Sequence, residues 1–174
     1  RDRPLRILDV GTGSGCILAT LLAELPAARG VGTDISEAAL EVARSNARRN
    51  GVSARARFEI ARSLQSIEET FDVLVSNPPY IPAADVALLA PEVRKYDPLV
   101  ALDGGPDGLA IYREIAAKAG TVVPAGLIAV EVGAGQASDV ARILALSVEN
   151  RAGPPWTRSD LGGHERTVAL LTHR

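Results

Sequence analysis

Apolar runs of strand length alternate with helical stretches along this 174-residue chain. Residues 5–10, 30–34, 54–60, 71–76 and 126–132 read as strands. Between or after them, residues 16–25, the segment following Ser36, residues 108–119 and residues 137–146 carry a helical apolar pattern. Several of the strands are apolar without alternation, so both of their faces must be buried. A parallel sheet covered by helices on both sides satisfies that, and the expected fold class is α/β and Rossmann-like. Two late strands, Trp156–Ser159 and residues 167–172, are joined across Gly162-Gly163 by a segment too short for a helical crossover. They are expected to pair antiparallel.

Local punctuation agrees with this division. Ser36 suits a helix N-cap with Glu37 in the first turn, and Asn50-Gly51 suits its end. Residues 77–107 do not fit the alternation: they are rich in proline and have little periodicity. Long loops of that kind in compact domains tend to be functional lids. There is no internal repeat or low-complexity tract, and one domain over residues 1–174 is expected.

Composition narrows the classes of protein. Hydrophobic residues make up 47% and charged residues 23%, and the net charge of −2 suits a globular domain rather than a disordered one. That near-neutral charge disfavours a nucleic-acid backbone partner, which asks for a basic face. No apolar run is long enough to span a bilayer, and no signal-peptide pattern opens the chain. A single cysteine cannot form an internal disulfide, so a reducing, cytoplasmic setting is expected. With no methionine and a start only a few residues before an apolar strand, the chain reads as a fragment of something longer.

Three constellations carry chemistry. Gly11-Thr12-Gly13-Ser14-Gly15 lies between the first strand and the first helix, where glycines let the backbone turn sharply and approach a ligand. The spacing is neither a dinucleotide fingerprint nor a phosphate-cradling P-loop, so a ligand without phosphates fits better. Asp34 ends the second strand, 23 residues after Gly11. Its carboxylate can accept both ribose hydroxyls of a nucleoside, or it can cap the next helix at capping-box spacing to Glu37. Beside the glycine loop, the nucleoside reading is preferred.

Asn77-Pro78-Pro79-Tyr80 ends the fourth strand. A residue before proline is held extended, so Asn77 and Pro78 are both restricted. Pro79 fixes its own φ and removes an N–H, which leaves the Pro78 carbonyl aimed one way. The Asn77 side-chain oxygen and that carbonyl can each accept one N–H of a planar NH2 group, while Tyr80 offers a face for stacking.

With these residues in view the chain resembles the HemK/PrmC family, the peptide chain release factor glutamine N5-methyltransferases. The similarity runs through Ile7-Leu8-Asp9-Val10-Gly11-Thr12-Gly13-Ser14-Gly15, Gly32-Thr33-Asp34-Ile35-Ser36 and Val75-Ser76-Asn77-Pro78-Pro79-Tyr80-Ile81-Pro82. It continues in Pro91-Glu92-Val93-Arg94-Lys95-Tyr96-Asp97-Pro98, Ala101-Leu102-Asp103-Gly104-Gly105-Pro106-Asp107-Gly108-Leu109 and Asp160-Leu161-Gly162-Gly163-His164-Glu165-Arg166. DNA adenine and some rRNA methyltransferases share the Asn-Pro-Pro-Tyr motif; residues 101–109 narrow the resemblance to HemK/PrmC.

The resemblance implies a seven-stranded S-adenosylmethionine-dependent methyltransferase fold with an antiparallel last strand. It implies a release factor as protein substrate and methylation of its Gly-Gly-Gln glutamine; no nucleic acid as direct substrate, no membrane and no metal are expected. By the same resemblance Gly11, Thr12, Gly13, Ser14 and Gly15 hold the methionine part of the cofactor and Asp34 its ribose. Asn77 and Pro78 hold the glutamine amide, with Pro79 and Tyr80 against it and Asn77 also near the cofactor. The family's acid near the adenine amine has no counterpart in Ile60-Ala61-Arg62-Ser63, so Arg62 is the cofactor contact expected there. The family's helical amino-terminal domain is not part of this chain.

An amide nitrogen is a poor nucleophile, and two fixed acceptors favour positive charge growing on it during attack. No general base set is then needed, and no metal-ligand spacing is present. Cys16 is expected to be a small buried residue, and His164 and His173 to be surface groups. Glu131 stands near the site with structural and functional roles equally open. Glu92, Tyr96 and Asp103 shape a lid or are solvated loop residues. The rival readings are a nucleic-acid amino-methyltransferase, a non-catalytic partner-binding module on the same scaffold, and a nicotinamide oxidoreductase, which the glycine spacing opposes.

Overall fold

The computed structural model describes residues 3–61, 64–89 and 98–174. Seven strands form one sheet: β1 (Arg6–Val10), β2 (Arg29–Asp34), β3 (Ala56–Ile60), β4 (Val73–Ser76), β5 (Leu127–Glu131), β6 (Trp156–Ser159) and β7 (Glu165–Leu171). Their order is β3-β2-β1-β4-β5-β7-β6. The first five run parallel to their neighbours, and β7 is antiparallel to both β5 and β6. The expected parallel sheet and antiparallel final pair are both present.

Consecutive residues of β1 show why two helical layers are required. A strand alternates its side chains between faces, and Ile7 and Leu8 are both fully buried. Ile7 joins one core with Leu18 and Leu22 of α1 (Cys16–Glu24) and Leu40 and Ala43 of α2 (Glu37–Arg49). Leu8 joins the other, with Tyr112 and Ile115 of α4 (Ala110–Val122) and Val140 and Leu144 of α5 (Ala137–Ser147). The short α3 (Ala83–Val86) lies between β4 and α4 in the chain. None of the helices among the described residues is long and apolar enough to cross a membrane.

Helix boundaries follow the caps read from sequence. Ser36 accepts a hydrogen bond from the Ala39 amide at 3.2 Å, so Ser36, not Asp34, caps α2. Cys16, expected to be buried, is exposed. Helix α1 turns Leu18, Ala19 and Leu22 into the core and leaves its first residue outside. His164 and His173 are exposed, as expected.

The stretch after β4 is not a free loop. Ile81 pairs with Asp103 in an isolated parallel bridge, the Ile81 amide donating to Leu102 O at 3.1 Å and Gly104 to Ile81 O at 2.8 Å. Residues 102–109 therefore fold back along residues 79–82. Glu92 and Tyr96, named as lid candidates, lie outside the described residues, as does Arg62.

Candidate active site

Register places the site. The chain runs outward from β1 to β3 on one side and then crosses to β4 on the other, which puts the topological switch point, where open α/β sheets bind their ligands, at the carboxyl ends of β1 and β4. Val10 pairs with Thr33 on β2 and with Ser76 on β4, and Ser76 pairs with Val130 on β5. One residue further along each strand come Asp34, Gly11, Asn77 and Glu131. These four leave the sheet in one row, although up to 120 residues separate the outermost two in sequence.

The glycine loop is built to turn without side chains at this switch point. Gly11, Gly13 and Gly15 all have positive φ (67°, 54° and 74°), where only glycine is unstrained. A Cβ on Gly11 or Gly13 would meet nothing within 4 Å, so these two present bare backbone to open space. A Cβ on Gly15 would come 2.9 Å from the Ala43 Cβ, which is how α1 starts close against α2. The loop is tied inward by Thr12 N–H to Thr33 O and Gly15 N–H to Thr12 O, both 2.8 Å.

Asp34 meets the loop directly. Its Oδ2 accepts the Gly13 amide at 2.9 Å and its Oδ1 the Ser36 amide at 2.9 Å. Each carboxylate oxygen has two acceptor sites, so capacity remains for hydroxyl donors. Behind the loop lies Asp9, 1% exposed, with Oδ2 accepting the Thr12 hydroxyl at 2.7 Å. Asp9 Oδ1 is buried without a hydrogen-bond partner. Burial, partly offset by the Thr12 bond, raises this carboxyl to about 6. Sequence reading passed over Asp9; its signal was a carboxylate inside an apolar strand just before a glycine loop.

Asn77 is exposed at the end of β4, and Pro78 beside it is buried. The Ser76 hydroxyl donates to Val10 O at 2.7 Å, fixing the end of β4 against β1. Tyr80 is half-buried, with its ring close to Gly133: a Cβ there would come 2.9 Å from Tyr80 Cδ2. Residues 102–109 wrap the other side, since a Cβ on Gly104 would be 2.8 Å from Tyr80 Cα. Asp103, offered as a lid residue or a solvated one, instead braces its own turn by accepting the Gly105 amide at 2.8 Å. The Glu131 backbone carbonyl accepts the buried Tyr112 hydroxyl at 2.8 Å. Burial, together with nearby Tyr80 and Glu131, holds that phenol above its usual range.

A separate concavity of ≈ 340 Å³ opens at the amino ends of the strands, with Arg6, Arg29, Arg57, Glu69 and Phe71 in its lining. It stands at the opposite end of the sheet from the glycine loop, and Glu69 bridges Arg6 and Arg57 there.

The donor set suits one kind of ligand. Bare glycine backbone, a free acceptor at Asp9 and a strand-end carboxylate at Asp34 fit a cationic, hydroxyl-bearing group without phosphates. Comparison with known proteins agrees with this. Residues 1–117 match the family model described as a methyltransferase domain, and the chain belongs to that family. Its sheet is the Rossmann-like one of the S-adenosylmethionine-dependent methyltransferases, as expected from the resemblance.

Among its relatives, a "Release factor glutamine methyltransferase" from Rhodospirillum rubrum is 51% identical over 97% of this chain and 51% of its own. Another of that name from Agrobacterium fabrum is 54% identical over 83% of this chain and 50% of its own. The chain thus spans about half the length of the curated relatives it matches. A methyltransferase structure from Pyrococcus furiosus superposes with a TM-score of 0.69 at 17% identity, covering 98% of this chain and 76% of that one, a likeness of fold.

Proposed function

We propose that this chain is the catalytic part of a release factor glutamine methyltransferase, acting on the side-chain nitrogen of a Gly-Gly-Gln glutamine in the cytoplasm. One observation carries the reading: Asn77-Pro78-Pro79-Tyr80 leaves β4 level with the glycine loop of β1, so acceptor and donor sites adjoin. The name borne by relatives 51% and 54% identical supports it. Residues 1–174 act in this reading as one catalytic domain.

S-adenosylmethionine, when bound, supplies an electrophilic methyl group on a sulfonium. Gly11, Thr12, Gly13, Ser14 and Gly15 hold its methionine part, Asp34 its ribose, and Asp9 offers a buried anion toward positive charge. The Asn77 side-chain oxygen and the Pro78 carbonyl each accept one N–H of the glutamine amide. These acceptors stabilise the nitrogen as positive charge grows on it, because they are aimed before the reaction begins. Holding the nitrogen in line with the methyl contributes the rest. The alkylated amide then loses a proton readily, without a dedicated base. Tyr80 packs against the flat amide and excludes water from it.

The test is transfer of labelled methyl from S-adenosylmethionine to a Gly-Gly-Gln release factor, with an Asn77→Ala control. Wild-type transfer lost in the variant, with cofactor affinity preserved, is the expected result. Transfer to DNA or RNA instead of the release factor would favour the nucleic-acid reading. Failure to bind the cofactor by calorimetry would leave a non-catalytic module.

A further inference from the structure

Gln136 precedes α5 and was not singled out in the sequence. Its Nε2 donates to Tyr80 O at 2.9 Å and to Gly108 O at 3.4 Å, while its Oε1 accepts the Gly133 amide at 3.0 Å. One half-buried amide group thereby joins the segment after β4, the 102–109 turn and the end of β5. There is no slack around it. A Cβ on Gly108 would lie 2.4 Å from Tyr80 O and 2.8 Å from Gln136 Nε2, and one on Gly133 would lie 2.7 Å from Gln136 Oε1.

We propose that Gln136 is the positioning residue that sets the direction of the Pro78 carbonyl and the Tyr80 ring toward the acceptor amide. This rests on the glutamine reading above. The segment from Ser76 to Tyr80 is anchored at both ends: by the Ser76 hydroxyl on Val10 O, and by Gln136 on Tyr80 O. Between the anchors both prolines have φ locked and carry no N–H, so neither can bond through its own amide. The soft dihedrals left are the ψ angles and the φ angles of Asn77 and Tyr80, and a fixed Tyr80 carbonyl constrains them. Without Gln136 the Tyr80 carbonyl loses its partner and only the Ile81 amide bond to Leu102 O still holds that peptide unit, so the Pro78 carbonyl samples a wider spread of directions. The glycine loop has its own backbone bonds to Thr33 and Thr12 and does not depend on Gln136. Alignment of the acceptor should therefore fail while the donor site persists.

Gln136→Ala and Gln136→Glu separate this role from a merely structural one. Both should lower kcat for release-factor methylation by about 10- to 100-fold, the effect of misplacing a reacting group by about 1 Å, with cofactor affinity by calorimetry within about twofold of wild type. Ionised Glu keeps the shape and the acceptor for Gly133 but cannot donate to Tyr80 O; protonated, it regains a donor. The kcat ratio of Gln136→Glu to wild type should therefore rise as pH falls from about 7 to about 4, through the carboxyl range, while the Gln136→Ala ratio stays flat. Amide exchange at Ile81, the residue whose N–H follows the Tyr80 carbonyl, should quicken in both variants. A Gln136→Ala kcat near wild type, a flat Glu ratio or unchanged Ile81 exchange overturns the proposal. Wild-type protein that methylates no glutamine refutes the acceptor reading itself, whereas unchanged exchange in an active protein refutes only the role of Gln136.

Discussion

Asp34 holds the Gly13 amide at 2.9 Å, so the second strand's carboxylate and the first strand's glycine loop form one unit. The two were separate features in sequence, 21 positions apart. Joined in this way, Asp34 shapes the loop, and in the function proposed above it also offers oxygens to the ligand.

Asp34→Ala removes acceptors for two backbone N–H groups at once. Charge-assisted bonds of this kind contribute more than neutral ones, and each ~1.4 kcal/mol is a factor of ten in affinity. Calorimetry should show at least about a tenfold loss of S-adenosylmethionine affinity. An unchanged dissociation constant would remove Asp34 from the donor site.

Asp9 predicts a pH dependence of stability. Its carboxyl is raised from 3.8 to about 6 by burial, so the folded state binds the proton more tightly than the unfolded one. Stability of the ligand-free protein therefore falls as pH climbs from about 4 to about 6, and the full penalty, at most about 3 kcal/mol, persists above that range. Asp9→Asn abolishes this titration. Urea midpoints at pH 5 and 7.5 should converge for the variant and differ for wild type; parallel behaviour of the two proteins would show that Asp9 is not the group responsible.

Gly108 has φ 73°, and any Cβ there would press on Tyr80 O, a backbone atom that cannot swing aside. Gly108→Ala should cost roughly 2 kcal/mol or more in chemical unfolding, from strain and steric conflict together. Methyl transfer should fall further than stability accounts for, because the displaced atom belongs to the acceptor segment. Equal transfer rates at saturating substrate would count against that coupling.

Ser76→Ala removes the bond from a buried hydroxyl to Val10 O. The expected loss is about 1 kcal/mol of stability, measured by thermal or urea unfolding. Because Gln136 still anchors Tyr80, kcat should drop less than in Gln136→Ala, and the reverse order would place the controlling anchor at the β4 end.

Much of the architecture was readable because it is locally encoded. Residues 5–10 appear as β1, Ser36 caps α2, and residues 137–146 appear as α5, since strand length, capping chemistry and helical period depend on neighbours a few positions away. The 77–107 stretch was harder. Its bridge from Ile81 to Asp103 is made across 22 positions and has no period to betray it. Cys16 is exposed against the expectation of burial because residue type carries only a preference, while packing decides that Leu18, Ala19 and Leu22 are the residues of α1 that turn inward.

The sequence by itself determined the alternating elements, the glycine loop, the strand-end Asp34 and the Asn77-Pro78-Pro79-Tyr80 motif, each a short string with its own conformational restriction. Tertiary structure decided that Asp34, Gly11, Asn77 and Glu131 emerge in one row, that Asp9 is buried with an oxygen unpartnered, and that Gln136 reaches Tyr80 from 56 positions away. Register between strands and hydrogen bonds across a fold arise only when both layers of helices pack against the sheet. No local string carries that information.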